Sequence, residues 1–146
     1  VSNLDILSTV ASVAGVDMDR NDLKEIEFDG ANVLPYLIGE NEGEPERVLF
    51  NKSGNYSFII KEGWKLQVDL VQNKKWLYNL NEDPTEQINL IKSDLKKLNE
   101  LEKILNKKLS EQVKPIWPSL LDWPIFIDKT LDEIVNNNDE YIFWAN

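Results

Sequence analysis

A run of alternating apolar and polar residues between positions 64 and 70 limits the possible fold of this chain more than any other feature. A period of two is typical of a β-strand with one face on an apolar core and the other in water. The apolar members of the run are Trp64, Leu66, Val68 and Leu70, and the polar members are Lys65, Gln67 and Asp69. The sequence therefore predicts a sheet that has one buried face and one wet face.

Three further segments predict strands that pair with this one. Glu62-Gly63 separates it from an apolar run at 56–61, and Gly supplies the positive φ that a tight hairpin turn needs. The segment 47–51 predicts a first strand before a turn at 53–55, and 76–79 predicts a fourth strand after a turn at 72–74. Together these spacings predict a four-stranded antiparallel sheet.

A leucine stripe that follows Ser93 predicts one long helix. Ser93 is a suitable N-cap, and apolar residues recur at helical spacing from there to about Val113. Such a helix would be roughly 30 Å long, which is enough to cross a four-stranded sheet. The stripe consists of Leu95, Leu98, Leu101, Leu105 and Leu109. We expect an α+β fold in which this helix packs on the apolar face of the sheet.

The first 46 residues predict two shorter helices. The first follows a cap at Ser2 or Asn3 and ends at Gly15. The second contains Pro35 in its first turn and ends at Gly39. The apolar stripe of the first helix is Leu4, Leu7, Val10, Ala11 and Ala14. The segment between the two helices is polar and acidic, which predicts a surface loop.

The last 32 residues predict a tail of short elements. Pro115, Pro118 and Pro124 exclude a continuous helix there. Apolar runs at 125–127 and 141–144 predict two final strands. Thr130 and Glu133 have the spacing of a capping box, which predicts a short helix between those strands. Two tryptophans are predicted to hold the tail against the sheet, namely Trp117 and Trp123.

Composition excludes several classes of function. The chain has no His and no Cys, which removes thiol nucleophiles, disulfides, imidazole bases and the usual zinc ligands. The net charge of −10 opposes binding to a phosphate backbone, so nucleic acid is not an expected partner. No apolar run is long enough to span a membrane. The chain begins at Val1 with neither Met nor a signal sequence, which indicates a fragment.

Three motifs follow one another between residues 63 and 90. They read Gly63-Trp64-Lys65-Leu66, then Leu77-Tyr78-Asn79-Leu80, then Asp83-Pro84-Thr85-Glu86 with Asn89-Leu90. In this order they resemble the C-terminal region of the sulfatases, members of the alkaline phosphatase superfamily, which read G-D-W-K-L, L-Y-D-L and D-P-x-E-x-x-N-L. The first 15 residues are similar to a sulfatase helix that reads D-I-x-P-T-x-x-x-x-A-G, with Ser8 in place of the proline. The tail also resembles extended tails of bacterial sulfatases.

The resemblance implies a division of the chain and a set of missing parts. Residues 1–46 would be the end of a large catalytic domain with its connecting segment, and residues 47–146 would be the C-terminal subdomain. Sulfatases use a formylglycine made in a C/S-x-P-S/A-R motif and a divalent cation, expected to be calcium. The nearest string in this chain, at 116–120, lacks both the nucleophile and the Arg. We therefore expect no catalytic residue, metal ligand or cofactor in this chain. Its partners would be the missing N-terminal catalytic domain and, in the full-length protein, sulfated carbohydrate.

One loop is the best candidate for contact with a substrate. Loops carry many binding residues, and the ammonium of Lys52 could attract a sulfate group. The candidate substrate-binding residues are Lys52, Ser53 and Asn55. The crowded carboxylates of Asp17, Asp19 and Asp22 lack the D-x-D-x-D-G order of a calcium loop, and we interpret them as a solvated surface.

Two alternatives stay open at the level of sequence. The five Trp residues could serve a stand-alone carbohydrate-binding or protein-interaction module, because aromatic faces stack on sugars. A fragment of a related phosphodiesterase or phosphatase would have the same architecture. The sequence that precedes this chain would distinguish these alternatives from a sulfatase.

Overall fold

The structure, a computed structural model, describes residues 1–16, 28–114, 116–117, 122–126, 133–134, 136 and 138–145. Several predictions lie outside the described residues. They concern Asp17, Asp19, Asp22, Pro115, Pro118, Thr130 and the side chain of Trp123. The chain forms two compact units, Val1–Arg47 and Val48–Asn146.

The first unit contains the two predicted helices, α1 (Asp5–Val13) and α2 (Leu34–Leu37). Helix α1 stops before Gly15, which has a φ of +73° and so takes the left-handed conformation that ends many helices. Its N-cap is Leu4 and makes no side-chain cap bond, so the predicted cap at Ser2 or Asn3 is wrong. Pro35 lies in the first turn of α2, as predicted.

The second unit is built on a sheet of four antiparallel strands in the order β1-β2-β3-β4. Glu62 and Gly63 both have positive φ, +53° and +74°, which is the geometry of a two-residue hairpin turn between β2 and β3. The strands are β1 (Val48–Ser53), β2 (Tyr56–Lys61), β3 (Trp64–Asp69) and β4 (Lys74–Asn79). The predicted four-stranded antiparallel sheet is confirmed. Leu70, predicted to continue the apolar face of β3, lies beyond the strand and is exposed.

Helix α3 (Leu95–Glu111) packs on one face of this sheet and confirms the α+β fold. It begins one residue later than predicted, because the side chain of Asp94 rather than that of Ser93 caps it, accepting a hydrogen bond from the backbone N–H of Lys97. Leu101 and Leu105 are buried, whereas Leu95 is exposed. Their buried neighbours in the core are Ile59, Leu66, Val68 and Leu77.

The opposite face of the sheet is also buried, which contradicts the predicted wet face. Strand pairing places Gln67 beside Trp76, and both side chains are almost fully covered. Tyr56, Trp76 and Tyr78 form a second buried cluster on this face. Asp69 is buried too, and its carboxylate accepts hydrogen bonds from Val71, Gln72 and the Gln72 side chain. Gln67 and Asp69 can be buried here because each has hydrogen-bond partners, while Lys65 is half-buried.

The tail contributes a second, two-stranded sheet. Strand β5 (Asp122–Phe126) pairs antiparallel with β6 (Tyr141–Ala145), so the two predicted final strands are present. Gln72 donates a 2.7 Å hydrogen bond to the carbonyl of Tyr141, and the indole N–H of Trp76 donates to Glu140. Trp117 is 81% exposed, so the prediction that it holds the tail to the sheet is wrong.

Candidate functional site

The predicted substrate-binding residues lie at one end of the edge strand β1. Lys52 pairs with Ser57 and Ser53 pairs with Tyr56, so both belong to the strand and the predicted loop is shorter than expected. Gly54, with a φ of +57°, and Asn55 form the turn. The carbonyl of Asn55 accepts a 3.0 Å hydrogen bond from the N–H of Leu70, which fixes the turn against the end of β3. Lys52 and Asn55 are exposed and Ser53 is half-buried.

A second polar group, which sequence reasoning did not single out as a site, lies on the face of the sheet opposite α3. The carboxylate of Glu86 accepts hydrogen bonds from Lys65 Nζ at 2.7 and 2.9 Å and from Gln67 Nε2 at 2.5 Å. Burial and then the nearby charge of Glu86 raise the pKa of Tyr56 well above its ordinary value. Tyr56 therefore stays neutral. The available sequence signal was the Glu of the Asp-Pro-Thr-Glu motif.

The turn that presents Glu86 is organised by Asp83. Asp83 Oδ2 accepts a 2.8 Å hydrogen bond from the N–H of Ile88, and its carbonyl accepts one from the N–H of Glu86 at 3.2 Å. Backbone hydrogen bonds, foremost those from Gln87 and Ile88, hold the pKa of the Asp83 carboxyl below its ordinary value. Glu86 itself has a φ of +59°, which is uncommon for a residue with a side chain. The motif therefore holds the Glu86 carboxylate against Lys65 and Gln67 of the sheet.

The end of the same motif closes the outer edge of β4. Asn89 Oδ1 accepts a 3.0 Å hydrogen bond from the N–H of Leu77, and the N–H of Leu90 donates to the carbonyl of Leu77 at 2.7 Å. These bonds satisfy backbone groups of an edge strand that would otherwise be open to pairing with another chain. Asp83, Glu86 and Asn89 therefore all have structural roles in the turn and the sheet.

The described residues do not fit the cofactors that the resemblance implies. Within the described ranges, no group of three or more Asp and Glu side chains stands close enough together to hold a metal ion. The sequence contains no C/S-x-P-S/A-R motif in which a formylglycine could form. The Glu86 carboxylate already bonds to Lys65 and Gln67, and Tyr56 beside it is neutral.

Solved structures of sulfatases share the fold of this chain. One is a putative sulfatase from Bacteroides thetaiotaomicron VPI-5482, with a TM-score of 0.55 and 22% identity. Another is a 2-O GAG sulfatase, with a TM-score of 0.53 and 24% identity. A third comes from work on the metabolism of multiple glycosaminoglycans by Bacteroides thetaiotaomicron and has a TM-score of 0.55 at 20% identity. Each match covers 73% of this chain and 24% of the sulfatase chain.

These matches confirm the resemblance to sulfatases at the level of the fold. The chain has the fold of one part of a sulfatase and spans about a quarter of the length of the structures it matches. No family model matches the sequence, and no curated protein matches it. None of the helices in the described part of the chain has the length and hydropathy needed to cross a bilayer.

Proposed function

We propose that this chain is the C-terminal part of a sulfatase, in which it completes the fold and forms one wall of the substrate cleft. The observation that carries this proposal is the fold match, which includes most of this chain and only 24% of each sulfatase. The ordered motifs agree with this proposal. Glu86 and Asn89 of the third motif bond to the sheet, so they support the fold and are not reactive groups. The catalytic groups would lie in the remaining three quarters of the protein.

The side chains of this chain indicate which part of the protein would hold the catalytic groups. Hydrolysis of a sulfate ester by attack at sulfur needs a nucleophile, a group that protonates the departing alcohol and a positive site that stabilises the sulfuryl oxygens. This chain has no His or Cys, and it forms no metal-binding cluster among the residues that the structure describes. The formylglycine and the divalent cation, which we expect to be calcium, would therefore be held by the missing catalytic domain.

The cleft wall would be the end of the sheet at the β1–β2 turn. Lys52 is exposed there, and its ammonium can donate hydrogen bonds to a sulfate oxygen. The bond between Asn55 and Leu70 gives this turn a fixed position. One of the matched structures is a 2-O GAG sulfatase, which supports a sulfated glycan as the substrate class.

The proposal is tested by expressing the complete reading frame that contains this chain, with the 146-residue chain alone as the comparison. Peptide mass spectrometry would detect formylglycine in the complete protein, and ion chromatography would detect sulfate released from sulfated glycosaminoglycan oligosaccharides. We expect both signals from the complete protein and no sulfate release by the chain alone. Hydrolysis by the purified 146-residue chain, or a complete reading frame without the C/S-x-P-S/A-R motif, would refute the proposal.

The role of the cleft wall has its own test in the complete protein. Lys52→Ala should raise the KM for a sulfated oligosaccharide and leave kcat unchanged, because Lys52 would contribute to binding and not to the chemical step. Lys103→Ala, which removes an exposed ammonium from α3, is the matched control. Equal KM values for the two variants would remove Lys52 from the site.

A stand-alone carbohydrate-binding module is the second candidate, and the exposure of Trp117 favours it. Trp117 is 81% exposed and the adjacent Ile116 is 83% exposed. An exposed indole can stack on a sugar ring. Calorimetry of the 146-residue chain with glycosaminoglycan oligosaccharides would support this candidate if binding occurs and is lost in Trp117→Ala.

A further inference from the structure

The basic residues of this chain are concentrated in one segment, although the chain as a whole is acidic. Residues 48–114, which contain the strands β1–β4 and helix α3, carry 12 of the 16 basic residues and 9 of the 26 acidic ones. The acidic excess therefore lies in the segments before and after. At physiological salt, exposed charges more than about 8 to 10 Å apart are largely screened, so a ligand responds to the local surface rather than to the net charge.

The first two acidic residues of α3 turn toward the sheet. Glu102 forms a 2.6 Å ion pair with Lys75 of β4, and Glu100 accepts a 3.0 Å hydrogen bond from Lys61 of β2. Glu100 also accepts a 3.0 Å hydrogen bond from Lys97 of the helix itself. These carboxylates are therefore engaged by lysines at the edges of the contact between the helix and the sheet.

The outward side of α3 carries lysines and uncharged polar residues. At 100° per residue, Lys96, Lys103 and Lys107 lie within about 40° of one another, on the side away from the buried leucines of the helix. All three are exposed, and Lys107 keeps 77% exposure although its Nζ lies 3.7 Å from Glu111. Lys96 and Lys103 have no acidic partner among the described residues. The α3 lysine face consists of Lys96, Asn99, Lys103, Asn106, Lys107 and Ser110.

Neither stability nor solubility accounts for this face. Lys103 and Lys107 are four residues apart, and like charges at that spacing destabilise a helix. A large net charge keeps a protein soluble, and lysines reduce the negative net charge of this chain. Because Glu100 and Glu102 are engaged by other lysines, the face stays cationic. A bound polyanion would relieve the repulsion between its ammonium groups.

We propose that the α3 lysine face is a binding site for a linear sulfated polysaccharide. This site lies on the helix and is not the β1–β2 turn of the proposed function. The choice of ligand rests on the proposed function, because a sulfated glycan is the substrate class inferred there. Ammonium groups donate charge-assisted hydrogen bonds to sulfate oxygens, and the amides of Asn99 and Asn106 can donate to sugar hydroxyls between them.

The length of the face requires a polymeric ligand. Lys96 and Lys107 are eleven residues apart, which is about 16 Å along the helix axis. Each exposed lysine contributes little by itself, and useful affinity comes from several contacts made by one chain. We therefore expect affinity to rise with chain length. A single substitution tested with a short oligosaccharide, as for Lys103→Ala above, should have no effect.

The residue types of the face favour a sulfated polysaccharide over nucleic acid. The face has no Arg to read base edges and no aromatic ring on which a base could stack. A DNA duplex carries one negative charge about every 1.7 Å, more densely than three lysines spread over the helix could neutralise. A flexible chain with more widely spaced sulfate groups fits the spacing of the lysines better.

The test measures binding of heparin fragments of increasing length to the 146-residue chain and three variants, by calorimetry at several salt concentrations. Lys103→Gln with Lys107→Gln removes two charges from the face. Lys103→Arg with Lys107→Arg keeps them. Asn3→Asp with Asn41→Asp makes the same change in net charge at exposed sites outside the face, and is the matched control.

Affinity should rise with fragment length in the parent chain. The glutamine variant should lose at least about tenfold in affinity for the longest fragments, and its slope of log affinity against log salt should fall by about two, because two fewer counterions are released. The arginine variant should bind like the parent chain because its charge is unchanged. The aspartate variant should also bind like the parent, because its new charges are screened.

Three results would overturn the proposal. They are an absence of heparin binding by the parent chain, an equal loss of affinity in the aspartate variant, and duplex DNA that binds as tightly as heparin and is lost in the glutamine variant. The second would assign the effect to net charge, and the third would make nucleic acid the ligand. The two proposals fail separately, because this binding needs no sulfatase activity, whereas formylglycine and sulfate release test only the sulfatase.

Discussion

Helices α1 and α3 are amphipathic to a similar degree, yet their units use them in opposite ways. Helix α3 turns Leu101 and Leu105 toward the sheet, where both are buried. Helix α1 turns Asp5 and Ser8 toward its own unit and leaves Val10 exposed. The second unit is held by apolar contact, whereas the described residues of the first are held together by hydrogen bonds and by the ion pair of Arg47 with Asp5.

The difference shows what each unit can do alone. Apolar burial is the main favourable contribution to folding, and the sheet with α3 has it on both faces. The first unit has Val33 as its buried hydrophobic residue within the described ranges. Hydrogen bonds add only modest net stability, so they can fix a geometry more easily than they can support an independent core. We expect the first unit to depend on a partner and the second to be the stable one.

The largest expected effect comes from removing the carboxylate that holds the first unit together. Asp5→Ala leaves Arg47 and the N–H groups of Ser2 and Ala31 without their acceptor. Breaking a buried pair from one side costs about 3 to 5 kcal/mol. Hydrogen exchange should show loss of protection in α1 with no change in β2 and β3. Asn3→Ala, at an exposed site before the same helix, should leave both regions protected.

The matching change in the second unit is Leu101→Ala. Leu101 is fully buried against the sheet, so we expect a loss of about 2 to 5 kcal/mol in the free energy of unfolding. Leu95→Ala, on the exposed side of the same helix, should cost less than about 1 kcal/mol. Chemical denaturation followed by Trp fluorescence measures both. Similar losses for the two variants would contradict the packing of α3.

A smaller effect is expected on the far face of the sheet, where the second unit resembles the first in its use of polar bonds. Glu86→Ala leaves Lys65 and Gln67 without their acceptor and should cost about 1 to 3 kcal/mol. It should also lower the pKa of Tyr56, since the charge of Glu86 helps to raise it. Ultraviolet titration of the tyrosines measures that change. Glu82→Ala, at an exposed site in the same turn, is the control and should alter neither quantity.

The smallest expected effect concerns pH. Hydrogen bonds from Lys97 and Lys61 hold the pKa of Glu100 below its ordinary value of 4.5. A carboxyl with a lowered pKa in the folded state stabilises the fold above its unfolded pKa, and this stabilisation is lost as the pH falls through the folded value. Unfolding midpoints should therefore decline below about pH 4.5, and slightly less steeply in Glu100→Gln. An identical decline in both proteins would show that this surface network contributes nothing.

Much of the second unit could be predicted because its signals are local. The alternation in β3 and the turn at Gly63 depend on residues that are neighbours in the chain, and they gave the strands and their order. Asp94 replaced Ser93 as the cap of α3, an error of one residue between two good capping residues. The ordered motifs also indicated the sulfatase fold that the solved structures share.

The missed features depend on contacts between distant residues. Nothing near Gln67 in the sequence indicates that Glu86 and the buried cluster of Tyr56, Trp76 and Tyr78 cover it. The candidate site was placed in a loop because Ser53 and Gly54 favour turns, whereas pairing with Tyr56 keeps Ser53 in the strand. Its role in substrate binding stays a prediction.

The sequence by itself determined the strands, the turns, the amphipathic helices and the absence of thiol and imidazole chemistry, since periodicity and composition are properties of the chain alone. Only the tertiary structure decided that α1 buries its polar side and that the polar face of the sheet is covered as well. The physical reason is that burial depends on what lies opposite a face. Ser8 and Gln67 are covered because distant groups satisfy their hydrogen bonds, and Val10 is exposed because none of the described residues of its own unit covers it.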